Sequence, residues 1–399
     1  MTKLQIIAVL LSLIGLFQTA LSAEEFDATR SQGLNSSKVA EGWISLFDGK
    51  STFGWRKAAA IDWVVEEEAL TAKGSHGLLR TAVQFDDFDL RLEYKAEPSA
   101  KSGIFIRTSP MPEAPGNDCI KINIAPDLDP FPTASLSGQK KAQPVEPNVD
   151  WNSMRILAEG PRVKVWLNDV LKLEYEHEGQ YVSKGYIGLQ RERGEIAFRN
   201  IVLKPLNLRS LFDGTDLLAW NAKQSLESRF YIDKQKHLRM LGGRGQLESN
   251  DQFGDFVFST HVRTNAPGLN SGIFFRCIPG DVMNGYESQI QNQFEDGDPT
   301  KPRDCGTGGI FRRQNARFVN AQDESWFAKT IITSGATINV WVNGCLISDW
   351  TDDRKPDPNP RRGRRLEAGT FCLQGHDPTT DVSFKLMSVR ELSTRKNSN

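Results

Sequence analysis

The stretch Ser271-Gly272-Ile273-Phe274-Phe275-Arg276 repeats, with one exchange, Ser102-Gly103-Ile104-Phe105-Ile106-Arg107. Upstream of each copy stands a second pair: Leu46-Phe47-Asp48-Gly49 followed by Trp55, and Leu211-Phe212-Asp213-Gly214 followed by Trp220 at the same offset. Downstream stands a third, Val165-Trp166-Leu167-Asn168-Asp169 against Val340-Trp341-Val342-Asn343-Gly344. Three matches in one order mean two copies of one domain. Their period is far too long for stacked solenoid units, so the copies are tandem domains. Residues common to both serve the fold, and reactive residues present in only one are candidates for chemistry.

Helix periodicity is nearly absent, and two-residue alternation takes its place. Leu90, Leu92 and Tyr94 alternate with Arg91, Glu93 and Lys95, and Ile338, Val340 and Val342 alternate with Asn339 and Trp341. Such runs are strands with one apolar face. Asn343-Gly344 is a tight hairpin signal, because both residues tolerate positive φ. Many short antiparallel strands predict an all-β chain of two tandem sandwiches. The first is expected over 39–206 and the second over 207–392. The short connection Leu203 to Arg209 leaves little slack, so the two should touch.

With 399 residues the chain accommodates two cores of ordinary size. A net charge of -1 favours neither nucleic acid nor an anionic membrane as partner. Lys3, the apolar run Ile6 to Phe17 and Leu21-Ser22-Ala23 read as a signal peptide over 1–23, with a periplasmic or secreted destination and no membrane attachment after cleavage. Residues 24–38 read as a disordered linker and 393–399 as a tail. Five cysteines fit that address loosely, with disulfides and buried thiols left as alternatives. The run Arg361, Arg362, Arg364, Arg365, diluted by nearby acids, reads as a solvated loop, and Gly242-Gly243-Arg244-Gly245 as a turn.

Together these motifs resemble the 3-keto-disaccharide hydrolase family. The likeness lies in Gly42-Trp43, Leu46 to Gly49 and Trp55. It continues in Asn270-Ser271-Gly272-Ile273 with Arg276, in Gly285-Tyr286-Glu287-Ser288-Gln289-Ile290, in Trp341 to Gly344 and in Leu373-Gln374-Gly375-His376. The resemblance implies concanavalin A-like jelly-roll sandwiches acting on oxidised sugars. The first copy departs from it: Lys101 stands for Asn270, Lys121 and Asn123 for Glu287 and Gln289, and Glu192 for His376. It reads as the fold retained without the site.

On that basis Glu287, His376 and Arg276 are the expected catalytic residues, and Asn270, Tyr286, Gln289, Gln291 and Gln374 the expected substrate contacts. Glu287, Gln289 and Gln291 lie two apart and share one strand face. The acidic loop Glu295, Asp296, Asp298, Asp304 lacks EF-hand spacing, and a divalent metal stays an open alternative to a plain polar loop. A two-carboxylate glycosidase needs a carboxylate pair that this strand lacks. A 3-keto sugar asks for less: one base removes the acidified C2 proton while a cation holds the enolate. The expected reaction is therefore elimination from a 3-keto-glycoside with net hydrolysis. The rival class is a non-catalytic, lectin-like carbohydrate-binding protein, since fold alone does not decide function.

Overall fold

A computed structural model describes residues 34–58, 62–73, 75–143, 146–223 and 226–392. The expected signal peptide, most of the linker and the tail lie outside the described residues. The part of the linker that is described is ordered: Ser36–Ala40 form one helical turn capped by Asn35, whose side chain accepts from Lys38 N at 2.9 Å.

Each copy folds into an eight-stranded and a five-stranded antiparallel sheet, and strand order repeats between copies. In the second copy the five-stranded sheet runs Trp220–Ala222, Gly245–Phe253, Gly369–Gly375, Ser271–Cys277, Tyr286–Ile290. In the first it runs Trp55–Lys57, Gly77–Thr81, Tyr186–Arg193, Lys101–Thr108, Ile120–Ile124. Spatial neighbours that are distant in sequence mark the jelly-roll character of both sandwiches. Between the sheets of the second copy Phe371 interlocks with Phe253, Phe256 and Phe258, its ring centroid 4.9, 4.7 and 4.6 Å from theirs.

The repeated motifs do equivalent structural work. The indole N–H of Trp55 donates to Leu46 O at 2.6 Å, and that of Trp220 to Leu211 O at 2.8 Å. Asp48 and Asp213 each accept from backbone N–H groups two residues on, closing the turn after each motif. Asn343 and Gly344 take φ of 48° and 77°, as Asn168 and Asp169 take 49° and 64°, the left-handed pair a two-residue hairpin demands.

The sandwiches share buried surface. Val257, Ile332, Trp341 and Leu392 of the second copy join the hydrophobic cluster of the first. Trp341 Nε1 donates to Ser45 O at 2.8 Å, and Ser45 N to Gly344 O at 2.8 Å. Arg56 forks onto Asp349 through two 2.7 Å bonds, and Arg390 onto Asp86 and Asp87. All five cysteines are buried free thiols, which decides between the two readings of their role.

Candidate active site

Strand alternation places Tyr286 and Ile290 in the core and turns Glu287 and Gln289 to the outer face of the five-stranded sheet. There Glu287 lines a pocket of about 500 Å³ together with Tyr286, Phe274, Met283, Gln374 and His376. Four arginines, Arg244, Arg312, Arg313 and Arg361, complete its wall.

Glu287 is nearly buried, at 7% exposure, and its room is made by the neighbouring strand. A Cβ added to Gly272, opposite Gln289 in the register, would collide with the Glu287 carboxylate. Burial pushes the Glu287 carboxyl up to about 8, with Asp304 adding to the rise and Lys329, Arg361 and Arg312 opposing it. Lys329 is the largest opposing influence. It reaches from strand Phe327–Ser334 of the facing sheet and donates to the carbonyls of Ser288 at 3.0 Å and Gln289 at 2.7 Å. Fully buried, its ammonium is pushed down to about 7 by desolvation, against the pull of Glu287.

His376 sits at the rim. Its Nδ1 pairs with Asp377 at 2.8 Å, which leaves Nε2 as the ring's other nitrogen. Gln374 Oε1 is buried without a hydrogen-bond partner, as is Oε1 of its first-copy counterpart Gln190. Tyr286 is a wall and an anchor: its hydroxyl donates to Asp352 at 2.7 Å and accepts from Arg365 N at 2.9 Å. Arg354 also grips Asp352 and the carbonyls of Pro360 and Gly363, so residues 352–368 are held over the pocket and carry Arg361 to Met283 O at 2.7 Å. The arginine run read as a solvated loop thus contributes Arg361 to the pocket, because Tyr286 and Arg354 tie its loop down.

Other expected site residues do not line this pocket. Arg276 is 1% exposed and belongs to the fold: it donates to Gly254 O at 3.0 Å and pairs with Asp255 at 2.9 Å. Arg107 makes the twin contacts, to Asp86 O at 2.8 Å and Asp87 at 3.0 Å, and both take a left-handed φ near 50°. Because Arg276 has an equivalent in the siteless copy, its role as an oxyanion partner is withdrawn. Asn270 and Gln289 are bound to Asp304 in a network beside the pocket, at 2.5 and 3.0 Å. Gln291 is buried and accepts from Gln293 N at 2.6 Å. In the acidic loop Asp296 pairs with Lys301 and Asp298 caps Thr300. Among the described residues no three His, Cys, Asp or Glu side chains are grouped to hold a metal ion.

The first copy carries other residues at the corresponding positions. Lys121 lies against Gly103 as Glu287 lies against Gly272, and it pairs with Glu192 at 3.5 Å. In the first copy an ion pair therefore spans the positions that Glu287 and His376 hold in the second. Met154 stands where Lys329 stands in the second copy, opposite Leu167 as Lys329 is opposite Val342.

Fold and site define a tandem β-sandwich protein with one copy hollowed around a buried acid. The chain belongs to the family of the 3-keto-alpha-glucoside-1,2-lyase-like domain, whose pattern matches residues 42–204 and again 207–390. Over 264 residues it is 25% identical to a 3-keto-disaccharide hydrolase of Bacteroides thetaiotaomicron, a match spanning 48% of this chain and 91% of that one. Among solved structures, a glycosyl hydrolase candidate from Parabacteroides distasonis aligns with TM-score 0.39 at 19% identity, over 44% of this chain and 100% of its own. A carbohydrate binding module from Bacillus subtilis aligns with TM-score 0.28 at 16% identity, over 38% of this chain and 95% of its own. No described helix is long and apolar enough to cross a membrane.

Proposed function

We propose that the second sandwich cleaves 3-keto-glycosides, acting outside the cytoplasm. Family membership and the 3-keto-disaccharide hydrolase relative support the substrate class. The observation that carries the chemistry is Glu287, a nearly buried carboxyl raised to about 8 in the wall of a sugar-sized pocket. A base so tuned takes the C2 proton of a sugar whose C3 ketone has acidified it. The C–H electron pair then forms the C2–C3 double bond, and the negative charge moves to the ketone oxygen. Arg361, whose field already acts on Glu287, is the guanidinium placed to hold that oxygen. When the electrons return, the C1–O bond breaks and the departing alkoxide takes a proton, which His376 at the rim gives from Nε2–H in its imidazolium form while Nδ1–H stays on Asp377. Water adding to C1 of the resulting enone completes a net hydrolysis, with the proton inventory restored.

The test is direct. Purified full-length protein is incubated with 3-keto-trehalose and released glucose and 3-keto-glucose are followed. Release that disappears in Glu287→Gln supports the reading. Substrate that is bound but never cleaved would make the protein a lectin-like binder instead.

A further inference from the structure

The pocket wall holds more positive charge than an enolate needs. Arg244, Arg312, Arg313 and Arg361 line it, and none of the four forms an ion pair with a carboxylate among the described residues. Arg313 donates only to carbonyls, those of Arg312 at 3.4 Å and Arg361 at 3.0 Å, while Arg312 lies over the Phe311 ring with its guanidinium 5.2 Å from the centroid. Both are exposed to the pocket's solvent.

The first copy supplies the control. There Leu136 bridges to Ile122 and Lys140, as Ile310 bridges to Ser288 and Gln314 in the second. The two turns are closed alike, Ser137 N donating to Lys121 O at 2.9 Å and Phe311 N to Glu287 O at 3.0 Å. Gly138 and Gln139 therefore stand where Arg312 and Arg313 stand. The first residue of each pair is left-handed, with φ of 73° for Gly138 and 58° for Arg312. Glycine adopts this conformation freely, whereas an arginine there is strained. The second copy thus keeps a strained cation at a turn whose backbone calls for glycine, and sets another beside it. Two adjacent guanidiniums repel one another until an anion is placed between or above them, and their planar forks suit an oxyanion group.

The geometry points to an anionic sugar as the ligand of this pocket: a glycoside whose ring or leaving group carries a carboxylate, sulfate or phosphate, gripped by Arg312 and Arg313 while Glu287 faces the ring. This rests on the reading of the pocket as a sugar site, but not on turnover. The test therefore uses unoxidised sugars and calorimetric titration of the full-length chain. The ligands are glucose, glucuronate, glucose 6-sulfate and glucose 6-phosphate, at low and at high salt. At least one charged sugar is expected to bind tenfold or more tightly than glucose, with the advantage shrinking in salt. The tightest of the three identifies the anion. The double variant Arg312→Gly, Arg313→Gln installs the residues that the first copy already accommodates at this turn. It should fold, as a thermal melt will report, and narrow the advantage of the charged sugar over glucose to within twofold. Equal binding of glucose and all three charged sugars, absence of binding by all the charged sugars, or an advantage that survives the double variant would overturn the assignment. Cleavage of 3-keto-trehalose is unaffected by any of these outcomes, so failure here and failure of the catalytic reading are distinguishable.

Discussion

Glu287 can accept a proton only once it has lost its own, and burial delays that loss to about pH 8. The kcat/KM for a 3-keto-disaccharide is therefore expected to climb through neutrality toward about pH 8. Glu287→Gln should lower it by roughly a thousandfold while the far-ultraviolet circular dichroism stays unchanged. Lys329 gives a second, opposite handle. Its folded value lies below its unfolded one, so its burial cost is complete below about pH 7 and is relieved as pH rises toward 10.5. Lys329→Met, which copies Met154, removes that cost but leaves the Ser288 and Gln289 carbonyls without their donor, so its stability relative to the unaltered protein should be most favourable below pH 7 and decline toward pH 10.5. It also removes the largest influence that lowers the Glu287 value, so the rising limb of the pH profile should move to higher pH; a limb that stays in place would separate the two groups. Glu287, Gln374 and His376 were legible from the sequence because the first copy lacks two of them. Lys329 was not singled out, although the signal was present: it breaks the apolar face formed by Phe327 and Ile331 exactly two residues to either side. Arg276 misled because a charged strand end resembles a ligand contact, and only burial against Asp255 reveals a structural ion pair.

Strand ends carry the next layer of order. Arg107 and Arg276 leave their strands with left-handed φ and turn a guanidinium back onto the carbonyl and carboxylate of an earlier corner. Arg276→Ala leaves those acceptors unpaired and opens a cavity, so a loss of roughly 3 kcal/mol is expected in urea unfolding. The activity per folded molecule should persist, since the guanidinium does not line the pocket; a collapse of kcat at unchanged stability would return Arg276 to the chemistry. At this scale the strands and hairpins were readable, because period-two alternation and Asn-Gly turns are local signals. The segment 352–368 was not. Its shape comes from Arg354, Asp352 and Tyr286, contacts between residues up to 79 positions apart, and no local pattern announces them.

Two sandwiches joined through Trp341, Val257 and Ile332 should behave as one thermodynamic unit. A single calorimetric transition is expected for the whole chain. Trp341→Ala, which removes a nearly buried indole and its bond to Ser45 O, should cost about 3–5 kcal/mol and split the transition in two. A single unshifted transition in that variant would show that the interface contributes nothing to cooperativity. The Trp341 contact also bears on descent. In the leading copy the positions that Glu287 and His376 hold in the trailing one are filled by the ion pair Lys121 and Glu192. Its flank is constrained, because the trailing copy rests an indole upon it. A descendant that discarded the leading copy would have to repaint that whole flank in a single step. The leading half is thereby entrenched by its flank, whatever residues its outer sheet face carries.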